Sequence, residues 1–216
     1  MKVNTDGVLL GAWTDVYRAD KILDIGTGTG VIALMLAQRN PKATITAIDI
    51  DQDAYLQASK NTLASPWSDR VTVQHISLQK MMGDTLYDLI VSNPPYFIND
   101  YISDDAQRNV ARHGSSLPYA DLINGIARLL SADGQACIIL PYFNVEQFLV
   151  MAAEKGLYLS QRTDVVALRD REPYVSMLAL SHLYTIPSRN SITIQEASGT
   201  FTDEYRHLTQ DFYLKF

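Results

Sequence analysis

Apolar and polar positions follow two different spacings along the 216 residues, and the two spacings alternate. Short continuous apolar runs are typical of strands buried on both faces, and they occupy residues 21–25, 44–50, 71–77, 89–91 and 135–140. Segments with helical spacing lie between or after them, at residues 31–39, 52–63, 119–130 and 145–155. The alternation of strands with helices predicts a doubly wound, Rossmann-like α/β fold.

The C-terminal part of the chain carries a different pattern. Residues 158–168 and 175–184 are predicted strands joined by a connection too short for a crossover helix, so we expect an antiparallel pair at one edge. Residues 192–195 are a candidate for a further short strand, and Thr202 is expected to begin a final helix. The prediction is therefore a single domain over residues 1–216, with about seven strands, mostly parallel, and an antiparallel edge strand.

The first residues predict a short helix. Thr5 or Asp6 is the expected N-cap, and Val8, Leu9 and Trp13 form the apolar face. Two interpretations remain open. In one the helix packs on the edge of the sheet; in the other it covers a ligand, with Asp6 at the rim among the cofactor-binding residues.

Composition narrows the classes of function. The net charge of −6 argues against broad, nonspecific nucleic-acid binding but allows a local basic patch. The one cysteine, Cys137, has a buried-strand context, and the four histidines have no ligand spacing, so no disulfide within the chain and no metal site are expected. Without a long apolar run or a charged leader, we expect a soluble, cytoplasmic protein, and a monomer is favoured.

A glycine-rich turn follows the first predicted strand. It reads Asp24-Ile-Gly26-Thr27-Gly28-Thr-Gly30, and such glycines let the backbone approach a ligand closely. The dinucleotide fingerprint requires Gly or Ala at the next position, which is valine here, and no P-loop lysine follows. The turn therefore favours a nucleoside with a compact side chain, although a strand–turn–helix without a ligand remains an alternative.

An acidic residue ends the second predicted strand. Asp49 lies about 20 residues beyond the glycines, where a carboxylate can accept hydrogen bonds from both ribose hydroxyls of a nucleoside. Asp51 is better placed to cap the following helix.

The predicted strand at residues 89–91 runs into Asn93-Pro94-Pro95-Tyr96. Two prolines donate no backbone N–H and hold the chain extended, so they form a rigid platform at the carboxyl end of a strand. The platform offers the Asn93 amide, the Pro94 carbonyl and the Tyr96 ring, which suit a planar ligand with an exocyclic amine. A Pro-rich turn without a ligand is the alternative.

Residues 97–118 form a long segment with no predicted element. A segment of this length is usually a lid, a binding loop or disordered. Arg108, Arg112 and the turn that contains Arg169 and Arg171 are predicted to form a local positive face for a phosphate backbone, although a solvated loop is an equal alternative for residues 97–118.

Asp24-x-Gly26-x-Gly28-x-Gly30, Asp49 and the turn at residues 93–96, in this order and spacing, resemble the class I S-adenosylmethionine (SAM) methyltransferases. Residues 1–13 and 208–214 are similar to those of the bacterial tRNA(Val) adenine-37 N6-methyltransferases, and this similarity extends over residues 1–216. The family implies a further N-terminal segment of a few dozen residues, so Met1 is expected to be internal to the family's pattern.

The resemblance implies SAM as cofactor, tRNA as partner and methylation of an adenine N6. It implies that Asn93 and Pro94 accept the two N–H groups of N6, that Pro95 completes the turn and that Tyr96 stacks on the flipped base. It adds Ile50, Ser77 and Leu78 to the cofactor-binding residues. Two positions depart from the family: Asn4 replaces a usual glycine, and Ser77 replaces an acidic residue, which is expected to weaken cofactor binding.

Two other functions remain open. Release-factor methyltransferases use the same turn to methylate a glutamine side chain, but they carry a helical domain before the glycine loop, and only 23 residues precede Asp24 here. The departures at Asn4 and Ser77 also allow a SAM-binding protein without catalysis, against which the intact turn at residues 93–96 argues.

Overall fold

The computed structural model describes residues 4–95 and 117–213, which form one continuous sheet with helices packed on its faces. The eight strands are β1 Lys21–Ile25, β2 Thr44–Asp49, β3 Val71–His75, β4 Tyr87–Ser92, β5 Leu130–Pro141, β6 Tyr158–Leu168, β7 Val175–Ser181 and β8 Ser188–Gln195. The helices of the described residues are α1 Thr5–Trp13, α2 Val31–Arg39, α3 Gln52–Leu63, α4 Tyr119–Leu129, α5 Val145–Ala153 and α6 Asp203–Thr209.

The strand order is β3-β2-β1-β4-β5-β7-β6-β8. Strands β1 to β5 pair in parallel, and β7 is antiparallel to both β5 and β6. The direction in which strands are added reverses between β1 and β4. In open α/β sheets the crevice at such a reversal, at the carboxyl ends of the strands, is the usual ligand site.

The alternation of side chains along the buried strands divides the core into two layers. Ile22, Leu89 and Val91 face one side and pack with α1 and α2, whereas Leu23 and Ile90 face the other side and pack with α4 and α5. This arrangement buries strands on both faces, as their continuous apolar runs predict.

The predicted α/β class and mostly parallel sheet are confirmed, and four details differ. The sheet has eight strands rather than about seven, because the candidate strand at 192–195 extends back to Ser188 and pairs in parallel with β6. The antiparallel pair forms as predicted, but β8 lies outside it, and β5 begins at Leu130 rather than at residue 135. Asn4, not Thr5 or Asp6, caps α1, because its side-chain oxygen accepts from the backbone N–H of Gly7.

Candidate active site

A cavity of about 580 Å³ opens at the carboxyl ends of β1, β2 and β4, at the point where the strand order reverses. Its volume lies within the usual range for small-molecule sites, roughly 300–1,000 Å³. It brings together ten of the residues predicted from sequence: Gly26, Thr27, Gly28, Asp49, Ile50, Ser77, Leu78, Asn93, Pro94 and Pro95.

The glycine loop forms one wall of this cavity. Gly26 has a φ of 70° and Gly28 a φ of 59°, in the left-handed region that favours glycine. The backbone N–H groups of Gly26 and Thr27 donate to the Ile48 carbonyl at 2.9 and 3.0 Å, which fixes the loop against β2. A Cβ added at Gly26 would meet no protein atom within 4 Å, so the space beside this backbone is open to a ligand.

Asp24 supports the loop from within the protein. Its side chain is fully buried and is not among the residues that line the cavity, so its contact with a cofactor stays a prediction. The Thr27 hydroxyl donates to the Asp24 carboxylate at 2.5 Å. Burial, with a smaller contribution from the nearby charge of Asp49, raises the pKa of Asp24 to about 6, and the Thr27 hydrogen bond acts in the opposite direction.

The raised pKa of Asp24 predicts a pH-dependent stability difference. The folded protein binds the Asp24 proton more tightly than the unfolded chain, so stability is lost as pH rises from about 4 to the folded-state pKa of about 6. Asp24→Asn removes this ionisation, and its amide oxygen can still accept from Thr27. We expect the variant to gain on the order of 3 kcal/mol in unfolding free energy relative to wild type across that pH window.

Urea unfolding of both cofactor-free proteins at pH 4.5 and pH 7.5 checks this expectation. Glu154→Gln on the exposed end of α5 is the matched control, because it removes a solvated carboxyl group. A stability difference between Asp24→Asn and wild type that stays constant with pH would contradict the assignment.

The carboxylate of Asp49 connects the glycine loop to the residues just before α3. One carboxylate oxygen accepts from the Gly28 N–H at 2.8 Å and the other accepts from the Asp51 N–H at 2.9 Å. Each oxygen keeps a second lone pair for a ligand hydroxyl. Asp51 caps α3, as predicted, by accepting from the Ala54 N–H at 2.8 Å.

A second wall of the cavity follows β3 and contains Ile76, Ser77, Leu78 and Gln79. Leu78 is buried beneath it, and the Gln79 side-chain amide donates to Asp121 at 3.0 Å. Ser77 lines the cavity with a short side chain that carries one hydroxyl group.

Helix α4 packs against this wall at Gly125, next to Leu78. The close contact predicts that one added methyl group at Gly125 has a large effect on stability and on cofactor binding. A Cβ at Gly125 would lie 2.4 Å from Leu78 Cδ2 and 2.5 Å from Leu78 Cγ. Replacing Gly by Ala inside a helix gains about 1 kcal/mol in propensity, but forced overlap in a packed core costs about 1–3 kcal/mol. We expect Gly125→Ala to lower the melting temperature and to weaken cofactor binding, because Leu78 must move into the cavity.

Thermal unfolding and calorimetric SAM titration measure both effects. Gly83→Ala is the matched control, because its added Cβ approaches only Arg128 Cγ, at 3.8 Å. Unchanged affinity and stability in Gly125→Ala would show that Leu78 does not shape this wall.

The carboxyl end of β4 delivers the Asn-Pro-Pro turn to the cavity. The Ser92 hydroxyl donates to the Ile25 carbonyl at 3.0 Å and ties the end of β4 to the start of the glycine loop. Asn93, buried Pro94 and exposed Pro95 follow and line the cavity. The amide of Asn93 donates to the Asn4 side-chain oxygen over 3.5 Å. Tyr96, Arg108 and Arg112 lie outside the described residues.

Two predicted cofactor-binding residues lie beside the cavity rather than in its lining. The carboxylate of Asp6 accepts a hydrogen bond from the Tyr174 hydroxyl at 2.9 Å, so it faces the β6–β7 connection. Gly30 has a φ of 81° and begins α2; a Cβ there would lie 3.4 Å from Ala58, so this glycine allows α2 and α3 to pack closely. Their direct contact with a cofactor stays a prediction.

Sequence reasoning missed several lining residues: Asn4, Gly7, Ile25, Thr29, Val31, Ile32, Ile48, Asp51, Ala54, Ile76, Gln79, Ser92 and Leu117. Asn4 and Gly7 belong to the start of α1, which favours the interpretation of this helix as a cover. Some of these residues are next to motif residues in the sequence, namely Thr29, Ile76 and Gln79. This adjacency is the sequence signal that could have identified them as lining residues.

The expected positive face at Arg169 and Arg171 is modified by an ion pair. The Arg169 guanidinium donates to both Glu196 carboxylate oxygens, at 2.7 Å for the Nη2 contact. Both side chains are partly exposed, so water screens this pair. Arg169 is therefore less available to a phosphate than the sequence predicts.

Among residues 4–95 and 117–213, no cluster of three or more His, Cys, Asp or Glu side chains is placed to hold a metal ion. Within the same residues, every helix is too short or too polar to cross a membrane. The Cys137 thiol is buried in β5, and burial raises its pKa to about 12.

Comparison with known proteins gives consistent similarities. Residues 7–117 match the family model of the methyltransferase small domain. A relative from Phocaeicola vulgatus, named tRNA1(Val) (adenine(37)-N6)-methyltransferase, is 45% identical over 99% of this chain and 91% of its own length. A relative of the same name from Parabacteroides distasonis is 43% identical over 100% of this chain and 92% of its own length.

Among solved structures, a predicted O-methyltransferase from Agrobacterium tumefaciens superposes with a TM-score of 0.70. The alignment covers 95% of this chain and 96% of that chain at 18% identity. At this identity the likeness shows a shared fold.

Proposed function

Because the chain belongs to the methyltransferase small domain family, we propose that it transfers a methyl group from SAM to the exocyclic N6 of an adenine in tRNA. The relatives' name specifies adenine 37 of tRNA1(Val), and we propose the same nucleotide for this chain. Membership confirms the methyltransferase resemblance drawn from the glycine loop, Asp49 and the turn at residues 93–96.

One observation carries the proposal: the glycine loop and the Asn93-Pro94-Pro95 turn line the same cavity. The first suits a nucleoside cofactor and the second suits an exocyclic amine. In one cavity, the two ligands would lie close enough to exchange a small group, and a direct transfer gains most from such positioning.

The residues around the cavity fit SAM as the methyl donor. The open backbone at Gly26 would accept its amino-acid moiety, and the free lone pairs of Asp49 would accept from its ribose hydroxyls. Ile50, Ser77 and Leu78 would surround its adenine. When bound, SAM supplies an electrophilic methyl group on a positively charged sulfonium.

The turn would prepare the adenine amine as a nucleophile. Adenine N6 is a poor nucleophile because its lone pair is delocalised into the ring. The Asn93 side-chain oxygen and the Pro94 carbonyl would each accept one N6–H, which orients the nitrogen and makes its lone pair more available. Pro95 holds the backbone of the turn extended.

The remaining substrate contacts would come from residues that lie outside the described part of the chain. Tyr96 would stack on the flipped base, and Arg108 and Arg112 would meet the phosphate backbone. A tRNA substrate also implies that the protein works in the cytoplasm.

Incubation with radiolabelled SAM tests the reaction class. Unmodified bulk tRNA and a release-factor protein are offered in the same reaction, and the label is then assigned after nucleoside digestion of the RNA and proteolysis of the protein. We expect label in N6-methyladenosine. Label in a protein glutamine would replace this proposal, and no label despite measured SAM binding would favour a binding protein.

A further inference from the structure

Asn4 makes two contacts with one oxygen atom. It caps α1 by accepting from the Gly7 N–H at 2.9 Å, and the same Oδ1 lies 3.5 Å from the Asn93 side-chain nitrogen. Both Asn4 and Asn93 line the cavity. The N-terminus of α1 is thereby connected to the Asn-Pro-Pro turn.

The capping bond fixes the orientation of both side-chain amides. A backbone N–H can only donate, so Asn4 must present its oxygen, not its NH₂ group, to Gly7. The part of Asn93 that faces this oxygen must then be its NH₂ group, because two carbonyl oxygens at this separation would repel. The Asn93 oxygen is consequently left for the cavity, which is the orientation that accepts an amine N–H.

Gly7 makes the close approach of these two side chains feasible. A Cβ at this position would lie 3.0 Å from Asn4 Oδ1 and 3.6 Å from Asn93 Nδ2. Any larger residue would crowd the oxygen and separate the two amides. The arrangement therefore depends on three residues from two elements distant in sequence.

We propose that Asn4, at a position where the family resemblance implies glycine, is a positioning residue for methyl transfer that is particular to this chain, and that it orients the Asn93 amide so that its oxygen faces the acceptor amine. The inference rests on the proposed function, because it assigns Asn93 the role of hydrogen-bond acceptor. The bond is long in this structure, and catalytic hydrogen bonds commonly shorten when substrate closes the site.

Two substitutions of Asn4 separate positioning from capping. Asn4→Gly restores the glycine that the resemblance implies at this position and removes the oxygen, and glycine at an N-cap costs only a few tenths of a kcal/mol relative to asparagine. Asn4→Asp keeps an oxygen that accepts from both Gly7 and Asn93. We expect kcat for tRNA to fall about tenfold in Asn4→Gly, the effect of one lost hydrogen bond, and to be restored to within about threefold in Asn4→Asp.

The KM for tRNA and the Kd for SAM should change less than about twofold in Asn4→Gly, because the orientation matters mainly in the transition state. Thr202→Gly is the matched control: it removes the oxygen that caps α6 by accepting from the Tyr205 N–H, and it should leave kcat unchanged.

A second readout does not depend on activity. In the cofactor-free protein labelled with ¹⁵N-asparagine, the side-chain NH₂ resonances of Asn93 should shift in Asn4→Gly and stay in place in Thr202→Gly. A wild-type kcat in Asn4→Gly, or equal losses in Asn4→Gly and Asn4→Asp, overturns the inference. Failure of the proposed function is distinguishable, because it appears in wild type as the absence of N6-methyladenosine.

Discussion

Asn93→Ala is expected to lower kcat for tRNA methylation by about 10²–10³-fold while leaving the Kd for SAM within about threefold of wild type. The magnitude is typical for loss of one preorganised hydrogen-bonding group aimed at the reacting centre. The side chain lines the cavity at the end of β4, and the backbone of the turn is held independently by Pro94 and Pro95, so alanine should leave the platform in place. The loss should therefore fall on the chemical step.

Single-turnover assays with excess enzyme measure the rate of methyl transfer, and calorimetry measures SAM binding. Asn190→Ala is the matched control, because this asparagine is exposed on edge strand β8. Near wild-type turnover in Asn93→Ala would remove the residue from the mechanism. A loss of SAM affinity as large as the loss of turnover would instead assign Asn93 to cofactor binding.

Asp49→Ala is expected to weaken SAM binding by about 100-fold. The carboxylate accepts the Gly28 N–H on one oxygen, and a bound ribose would add hydrogen bonds to the same charged group. Hydrogen bonds to a charged group contribute about 1.5–3 kcal/mol each, and a hundredfold change corresponds to about 2.7 kcal/mol. The substitution removes a ligand contact and loosens the glycine loop, so both effects lower affinity.

Calorimetric titration of SAM into Asp49→Ala checks this value. Asp53→Ala removes an exposed carboxylate from the first turn of α3 and controls for the loss of negative charge. Its affinity should match wild type. If Asp49→Ala also binds SAM with wild-type affinity, the ribose contact is absent, and the orientation of the cofactor in the cavity must be revised.

Much of the site could be predicted from sequence because it is built at strand ends. The glycine loop, Asp49 and Asn93 each follow a buried apolar run, and parallel strands deliver their carboxyl ends to one edge of a sheet. Their convergence on one cavity therefore needs only the strand order. The N-terminus of α2, begun by Gly30, follows from the same strand–turn–helix pattern.

The parts that could not be predicted depend on tertiary contacts. Asn4, Thr5 and Asp6 are all good N-cap residues, and only the folded backbone decides that the Asn4 oxygen meets Gly7. Asp6 was expected to face a ligand, but the Tyr174 hydroxyl, distant in sequence, binds its carboxylate. The local sequence pattern around Asp6 does not predict a partner so distant along the chain.

Strand boundaries show the same limit. β8 begins at Ser188, but its first four residues are exposed and polar because they lie on the edge of the sheet, so they carry no apolar run. β5 begins at Leu130, opposite Tyr87, and its register shifts before Gln135 pairs with Leu89. Residues 133–134 are part of this irregularity, where a Cβ on Gly134 would lie 2.8 Å from Leu130.

The most direct test of the central claim uses two transcripts of tRNA1(Val) that differ only at nucleotide 37. Purified protein is incubated with labelled SAM and either the adenine-37 transcript or the guanine-37 transcript, and the digested nucleosides are separated. The account predicts N6-methyladenosine from the adenine-37 transcript and none from the guanine-37 transcript. Equal labelling of both transcripts would place the methyl group on another nucleotide, and absence of label in both, with SAM bound, would contradict the account.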